Sequence, residues 1–369
     1  MSQFERSRAT ATSLTCAVLL LLQTLSCVRS LPPHYASARR AAAQAQHERR
    51  FEAAARMWET AARRAPGPAD RDEALYRAAT AWRRASHDTR AASLLRQLAG
   101  REGSRQARAH LDLATLEFEQ GRTEVGLRLL QDVLELFPSS GLGRPALQRA
   151  LAHHVALDPE QAHAYLLRTL RRVEEPLLRE ALLYQRARLF EAQGQTQQAI
   201  AEYTRQIRKY PYPQGRNWED ASLRLAQLQR AEGQVREARA TLEAMLEQRE
   251  TAWFVGSYER GYAEARWMLA EMLEQDAKLP RQALREYRRL AEEHPRSRLR
   301  DDAWWAAARL SHQVGDERLA CYYAKQLRRE APASRFTACT ALLCPKLPAG
   351  GQCREYIERA LGAAIPGPR

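Results

Sequence analysis

The feature that most constrains the fold is an alanine that recurs along the chain at intervals of roughly 35 to 44 residues. It occurs at Ala42, Ala79, Ala114, Ala150, Ala187, Ala226, Ala270 and Ala308. About twelve residues after each comes a second small residue, at Ala54, Ala91, Gly126, Ala162, Ala199, Ala238, Ala283 and Ala320. Two antiparallel helices joined by a tight turn pass closest where such small residues meet, so the spacing predicts tandem helix pairs.

The last full unit, Asp301 to Ser334, shows the pattern best. It predicts two amphipathic helices, with Gly315 breaking between them and Pro332 ending the second. The apolar face of the first comprises Trp304, Ala307, Ala308 and Ser311, and that of the second Ala320, Ala324 and Leu327. Four earlier units also end in proline, at Pro66, Pro138, Pro211 and Pro295.

These units resemble the tetratricopeptide repeat, a helix–turn–helix unit, from about Tyr35 to Ser334. The resemblance implies an all-α, right-handed α-solenoid of about eight repeats over residues 35–334. A cysteine-containing cap over residues 335–364 is expected to cover its last apolar face, followed by a disordered tail, 365–369. The cap should be a pair of helices, Arg335 to Cys344 and Gln352 to Ala364, the second with Ile357, Ala360 and Leu361 on one face. Residues Ala265 to Ser334 look most like bacterial envelope repeat proteins of the outer-membrane assembly and Tol–Pal-associated types, which implies an envelope scaffold.

The first residues have the layout of an export signal. Residues 1–27 combine Arg6 and Arg8 with an uncharged apolar stretch. The stretch ends at Cys27, whose surroundings resemble a bacterial lipoprotein box, so we predict lipidation there, with residues 28–34 as a tether. This would anchor an exported, periplasmic chain to the outer membrane of a Gram-negative bacterium. Cleavage after Ser30 or Ala38, and an uncleaved membrane anchor, remain as alternatives.

The formal charge of +14, from 58 Lys plus Arg against 44 Asp plus Glu, raises the question of an acidic partner such as nucleic acid or acidic lipid. Lysine occurs only at Lys209, Lys278, Lys325 and Lys346, so nearly all of the positive charge is arginine. The arginines are spread along every helix rather than clustered, which disfavours nucleic-acid binding.

The four cysteines after Cys27 all lie near the C-terminus, at Cys321, Cys339, Cys344 and Cys353. In an exported chain an even, clustered set predicts disulfides, and four cysteines allow three pairings. We expect Cys339 to pair with Cys344 and Cys321 with Cys353, the second bond tying the cap to the last repeat. Zinc is disfavoured because there is no Cys-x-x-Cys pair.

A stack of helix pairs offers a concave groove lined by the first helices. Residues three before, one after and four after each recurring alanine share one side of a helix and are predicted to face it. The candidate partner-binding residues are Tyr76, Arg83, Tyr184, Arg188, Arg230, Trp267, Trp305 and Arg309. Aromatic rings beside arginine suit a peptide, or a sugar chain such as peptidoglycan. At each position the alternative is a solvated face with partly buried aromatic edges.

The sequence carries no phosphate-binding glycine loop, His-Glu-x-x-His motif or nucleophile elbow, so we predict neither an enzyme nor a cofactor. The histidines His153, His154 and His163 invite a metal site, but adjacent histidines point to different sides of a helix and surface histidines are expected. An aromatic insertion, Thr251 to Tyr262, either fills an irregular turn or binds a partner.

Two functions follow from these features. The first is an envelope scaffold that holds a protein partner in its groove as part of a complex. The second is an accessory to a cell-wall enzyme whose solenoid positions peptidoglycan.

Overall fold

The computed structural model describes residues 31–248, 257–348 and 350–364, with the backbone alone at 257–260 and 363–364. Within these ranges every regular element is a helix, which confirms the all-α prediction. The chain divides into two compact units, one ending at His153 and one beginning at His154.

The first unit is built from helices that pair in chain order. Helix α1 (Pro33–His47) packs on α2 (Phe51–Arg63), α3 (Pro68–Arg84) on α4 (Asp88–Ala99), and α5 (Gln106–Glu119) on α6 (Thr123–Leu136). A 3-10 turn, Pro138–Ser140, leads into α7 (Gly143–Leu157), which continues past the last residue of this unit.

The second unit repeats the arrangement. After α8 (Pro159–Arg172), helix α9 (Pro176–Ala192) packs on α10 (Thr196–Lys209), and α11 (Trp218–Ala231) on α12 (Val235–Glu247). Helix α13 (Ser257–Gln275) packs on α14 (Pro280–Glu293), and α15 (Arg300–Gln313) on α16 (Glu317–Glu330). A 3-10 turn (Thr337–Cys339), α17 (Thr340–Leu343) and α18 (Glu355–Ala364) complete it.

The recurring small residues lie where the spacing predicts. Each alanine of the first set is on the odd-numbered helix of its pair, here called the first helix, and each residue of the second set is on the even-numbered second helix. All are buried. At Gly126 even a methyl group is excluded, because a Cβ there would lie 2.7 Å from the ring of Phe118. In the seven helix pairs that each lie within one unit, the pattern therefore corresponds to close approaches between the paired helices.

The turns and ends of the pairs follow from a few residues. Gly315 takes a φ of 80° between α15 and α16, a left-handed conformation that costs glycine little. Ser86 and Lys278 take the same conformation in the corresponding turns, at φ 62° and 55°. The proline at each predicted end lies two or three residues beyond the second helix, as Pro332 does after α16.

The cap departs from the prediction in its first half. A single helix was expected over residues 335–344, whereas the structure has the 3-10 turn followed by the one-turn helix α17. Side-chain hydroxyls explain the difference, because Thr337 Oγ1 donates to the Ala331 carbonyl at 3.2 Å and Thr340 Oγ1 to the Thr337 carbonyl at 2.8 Å. In α18 the predicted apolar face is buried at Ile357 and Leu361 but exposed at Ala360.

The predicted disulfide pairing is wrong, although the same four cysteines are all bonded. Cys321 pairs with Cys344 and Cys339 with Cys353, at Cα–Cα distances of 4.7 and 4.8 Å. Cys339 and Cys344 flank α17, and five positions on a helix turn two side chains about 140° apart, so they face different neighbours. One bond joins the cap to α16, and the other joins the 3-10 turn to the segment before α18.

Candidate functional site

The candidate partner-binding residues fall into layers, each formed by one first helix and the next first helix along the chain. In the first unit, Tyr76 Oη of α3 donates to Asp112 Oδ2 of α5 at 2.7 Å, and Arg108 Nε donates to the same hydroxyl at 3.2 Å. Arg83 of α3 pairs with Glu119 of α5. Both candidates in this layer thus bind polar side chains of the following repeat.

In the second unit the layer between α9 and α11 has the same design with more members. Tyr184 Oη donates to Asp220, whose carboxylate also accepts from Arg224 Nε at 2.9 Å. Arg224 Nη1 reaches back to Glu191 of α9 at 3.0 Å. Arg188 donates to Tyr184 Oη at 3.2 Å and lies 3.7 Å from Glu191. The layer is a closed network of two arginines, two carboxylates and a phenol.

Tyr203 of α10 supports this network from the inside of the repeat. Its hydroxyl donates to Glu191 Oε2 at 2.7 Å, and its side chain is fully buried. Burial raises the pKa of Tyr203 well above its usual value, and the bond to the Glu191 carboxylate raises it further. The phenol therefore stays protonated and acts as a permanent donor to Glu191.

Arg230 forms the layer between α11 and α13. Its Nε donates to Asp276 Oδ2 at 2.9 Å, and its Nη1 lies 3.6 Å from Glu271 Oε2. Nη2 donates to Gln275 Oε1 at 3.3 Å. Three polar side chains at the end of α13 thus surround this guanidinium.

Glu274 organises the layer between α13 and α15. It accepts from Arg309 Nη2 at 2.7 and 2.9 Å and from Tyr287 Oη at 3.0 Å. The half-buried Trp267 lies edge-on to the Tyr287 ring, with centroids 5.2 Å apart. Burial, and then the charge of Glu274, raise the pKa of Tyr287. Trp267 keeps part of its indole accessible beside this ion pair.

Trp305 differs from Trp267 because the cap covers it. Its ring stacks on Phe336 with centroids 4.9 Å apart and planes 7° apart, and the residue is only 8% exposed. The Arg335 guanidinium lies over the Phe336 ring, 4.7 Å from its centroid, and pairs with Asp302. Most of the Trp305 indole, which the sequence predicts to face the groove, therefore packs against the cap.

The first-helix faces of the second unit are electrically compensated. Every first-helix arginine whose side chain is described there binds a carboxylate, apart from Arg179, which donates to the Leu170 and Val173 carbonyls at 2.6 Å. These faces therefore offer exposed aromatic area and fixed hydrogen-bonding groups, with little surplus positive charge.

The histidines that suggested a metal site make other contacts. The His153 ring stacks on Phe118 at a centroid distance of 3.8 Å, and His163 Nε2 lies 2.9 Å from Gln193 Oε1. Across the described residues no group of three or more His, Cys, Asp or Glu is placed to hold a metal ion. No helix in the same part of the chain is long and apolar enough to cross a bilayer.

Several predicted features lie outside the described residues. These are the export signal with Cys27, the C-terminal tail, and most of the aromatic insertion, including Trp253, Phe254 and the Tyr258 side chain. Tyr262, at the end of the insertion, is described. It is buried and donates to the Gln248 carbonyl at 2.5 Å, so this aromatic packs inside the repeat.

Sequence reasoning missed Asp112, Asp220 and Arg224, which complete the layers, and did not assign a role to the carboxylates Glu191, Glu271 and Glu274. These residues are the partners of the arginines. A signal was present, because Tyr76 and Tyr184 each lie 36 residues before the aspartate that they bind. One repeat length separates donor and acceptor in both cases.

Helices paired through small residues, with polar side chains bonded from one pair to the next, define a tandem helical-repeat protein. Residues 180–211 and 220–249 match the family model of the tetratricopeptide repeat. The matched segments coincide with the pairs α9–α10 and α11–α12, so these two helix pairs are similar to tetratricopeptide repeats.

Several solved structures are similar to the chain at low identity. The C-terminal part of a TPR repeat-containing protein from Cytophaga hutchinsonii is 11% identical, with 72% of this chain and 98% of that one covered and a TM-score of 0.43. PilF from Pseudomonas aeruginosa is 18% identical, with 62% of this chain and 93% of PilF covered and a TM-score of 0.38. YrrB, described as a TPR protein with an unusual peptide-binding site, is 14% identical. The similarity covers 69% of this chain and 100% of YrrB, with a TM-score of 0.32. Comparison with curated proteins gives no match.

Proposed function

We propose that the chain is an exported scaffold that holds a protein partner against the first-helix faces of its second unit. The observation that carries this proposal is the succession of layers at Tyr184, Arg230 and Glu274, in which polar networks fix the side chains before any partner arrives. Preorganised side chains lose little conformational entropy on binding, which favours affinity.

Trp267 and Arg188 are the residues of this face best placed to contact a partner. Arg188 keeps 44% of its side chain exposed, and Trp267 is only half-buried. Tyr184 and Trp305 are nearly closed off, so we assign them a supporting role. Tryptophan and arginine are also the residue types that most often dominate the energy of protein interfaces.

The location rests on the export signal in residues 1–27 and on Cys27. We propose an envelope protein anchored by lipid, and mass spectrometry of the mature chain tests this. A first residue that is a diacylated Cys27 supports the anchor. Any other N-terminus removes the lipid anchor.

Capture from envelope extract tests the scaffold itself. The parent chain should recover a defined protein partner, and Trp267→Ala should weaken its binding by about 2 kcal/mol if the indole is central to the interface. Tyr322→Ala is the matched control, because Tyr322 is an aromatic of the second helix α16 that is already exposed. Equal binding by both variants and the parent would place the partner elsewhere, with residues 251–262 as the next candidate.

A peptidoglycan accessory is the alternative, favoured by the exposed aromatic area of Trp267 beside polar side chains, which also suits a sugar chain. Retention of the pure chain on purified sacculi, lost in Trp267→Ala, together with no protein partner in the capture experiment, would favour it over the scaffold.

A further inference from the structure

A cavity of about 380 Å³ lies between the second helices α12 and α14, with α13 as its third wall. This volume is within the range of sites that bind small molecules. Leu246, Leu269 and Leu273, here called the leucine wall, form the apolar part of the lining, and arginine, glutamate and glutamine side chains complete it. Its described lining includes none of the candidate partner-binding residues of the first-helix faces, so the cavity is a separate candidate site.

Arg266, on α13, distinguishes this cavity from the rest of the stack. It stands four residues before the recurring alanine Ala270, and the equivalent residue of every other first helix is neither arginine nor lysine. Those residues are Ala38, Leu75, His110, Ala146, Leu183, Ser222 and Trp304. A buried guanidinium carries a desolvation cost even when carboxylates pair with it, and apolar residues often serve stability equally well. Packing of the helix pair therefore does not require a cation at this position.

The hydrogen bonds of Arg266 leave one donor unused. Its side chain is 2% exposed, Nη1 donates to Glu286 Oε2 at 2.6 Å, and Nη2 donates to Glu293 Oε2 at 2.8 Å. The buried Nε–H has no hydrogen-bond partner among the described residues. A buried donor without an acceptor is costly and uncommon in folded proteins, and this one belongs to a side chain that lines the cavity. A ligand that brings an acceptor atom into the cavity removes that cost.

Most other charged groups of the lining are bound to one another. Arg239 Nε donates to Glu243 Oε1 at 2.7 Å. Arg289 Nε donates to Glu293 Oε1 at 3.1 Å, and its Nη1 lies 3.4 Å from Glu286 Oε1. Three of the four arginines that line the cavity are thus bound to carboxylates.

The remaining arginine is uncommitted. Arg285 is exposed, and no carboxylate lies within ion-pair distance of it among the described residues. Gln282 Oε1 accepts from Arg239 Nη2 at 3.5 Å, whereas its Nε2 donates to no described residue. Glu247, exposed at the end of α12, is the one described lining carboxylate without a cation. A single uncommitted guanidinium matches an anion with one negative charge, such as a carboxylate, better than a phosphate dianion.

We propose that this cavity binds a carboxylate that carries a small apolar group. The carboxylate accepts from Arg285, from Arg266 Nε and from Gln282 Nε2, and the apolar group packs on the leucine wall. A free carboxylic acid and the C-terminus of a polypeptide with an apolar last residue both offer this chemistry. Because the cavity lies apart from the first-helix faces, the inference stands whether or not those faces bind a protein.

Titration calorimetry of the full chain tests the ligand chemistry with four probes. The main probe is 4-methylpentanoate, which should bind with a Kd of about 1 mM or below, as expected of so small a ligand. The alcohol 4-methylpentanol lacks the carboxylate, and acetate lacks the apolar group. Inorganic phosphate offers a different anion. Each of these three should bind at least about tenfold more weakly than 4-methylpentanoate, because each omits one of the contacts.

Single charge changes locate the anion. Arg285→Gln should weaken binding of 4-methylpentanoate by about tenfold or more, because it removes the uncommitted guanidinium. Glu247→Gln should strengthen binding by about threefold, because it removes a carboxylate that repels the ligand. The matched control is Arg281→Gln, which removes the same charge from α14 outside the lining and should change the Kd by less than about twofold. All three residues are exposed, so the variants should unfold at the parental temperature.

Arg266→Lys tests the buried donor. Lysine keeps the positive charge beside Glu286 and Glu293 but has no Nε–H group, so 4-methylpentanoate should bind at least about threefold more weakly. Thermal unfolding monitored by circular dichroism checks that this variant folds. Parental affinity in a folded Arg266→Lys protein would contradict the role assigned to the Arg266 Nε–H.

A peptide probe separates the two sources of the carboxylate. Acetyl-alanyl-leucine places the same branched side chain and carboxylate at the end of a peptide. Tighter binding than that of 4-methylpentanoate assigns the cavity to a polypeptide C-terminus, and weaker binding assigns it to a free acid. The proposal is overturned if neither carboxylate binds, if 4-methylpentanol binds as tightly as 4-methylpentanoate, or if Arg285→Gln and Arg281→Gln weaken binding equally.

Discussion

Arginines on the first and second helices of the second unit differ in what they contact. Arg309, on a first helix, donates twice to Glu274 and keeps 23% of its side chain exposed. Arg285, on a second helix, is exposed and has no carboxylate within ion-pair distance among the described residues. Arginine therefore joins consecutive repeats on the first-helix face, whereas on the second-helix face some arginines, such as Arg285, are left without a carboxylate.

This difference shows why the net charge of +14 says little about function by itself. Compensated arginines contribute to the charge count but little to an external field, whereas the uncompensated arginines of the second helices do contribute to it. The even spread of arginine along the sequence hides this separation, which appears only once each arginine is matched with its neighbours.

The largest expected effect concerns the aromatic residues of the two faces. Trp305→Ala should lower the free energy of unfolding by about 3 to 5 kcal/mol, because it removes a buried indole stacked on Phe336. Urea denaturation of the purified chain measures this. Tyr322→Ala, on the exposed face, should change the same quantity by less than about 0.5 kcal/mol. A loss below about 1 kcal/mol for Trp305→Ala would show that the residue is not a packing residue.

A smaller effect is expected from the arginines themselves. Arg309→Gln should destabilise the fold by about 1 to 3 kcal/mol, since it leaves the Glu274 carboxylate, only 14% exposed, with Tyr287 as its remaining donor. Arg285→Gln removes the same charge from the second-helix face and should cost less than about 0.5 kcal/mol. Both are measured by thermal or urea unfolding, and equal costs would remove the distinction between the faces.

The smallest effect at neutral pH comes from Tyr203→Phe, which should cost about 1 kcal/mol through the lost bond to Glu191. Its pH dependence is more informative. Because the pKa of Tyr203 is raised in the folded chain, the unfolded chain releases this proton first, and the free energy of unfolding should fall as the pH rises above about 10. Below that pH the contribution is fully present.

Unfolding measured from pH 8 to 11 checks the sign of this dependence. The slope should be shallower in Tyr203→Phe than in the parent. Tyr322→Phe, which removes an exposed phenol, should keep the parental slope. A parental free energy that stays flat across this range would contradict the buried donor assigned to Tyr203.

The helix pairs could be predicted because their cause is local and repeated. Ala270 and Ala308 lie on different first helices, yet each is small for the same reason, namely the close approach of its own second helix. One-residue changes in the turn, such as the one before Ala283, shift the register without removing the pattern. Periodicity is a property of the sequence alone, so the pairs can be located without a structure.

The cap and the polar layers could not be predicted in the same way. The pairing of Cys321 with Cys344 depends on the direction in which α17 points, and no spacing encodes that direction. The burial of Trp305 depends on Phe336, which lies beyond the last repeat. The partners of Arg230 lie 46 residues away at most, across an irregular repeat, so a search at one fixed spacing misses them.

The bond from Tyr76 to Asp112 and the bond from Tyr184 to Asp220 restrict how repeats of this chain can be recombined. Both span 36 residues, so a chimera that exchanges these two junctions keeps a tyrosine opposite an aspartate. The contact between Arg230 and Asp276 has no counterpart of the same span among the described residues, so shuffling its repeats would leave a guanidinium without its carboxylate. Duplication of repeats is thus tolerated at some junctions and opposed at others.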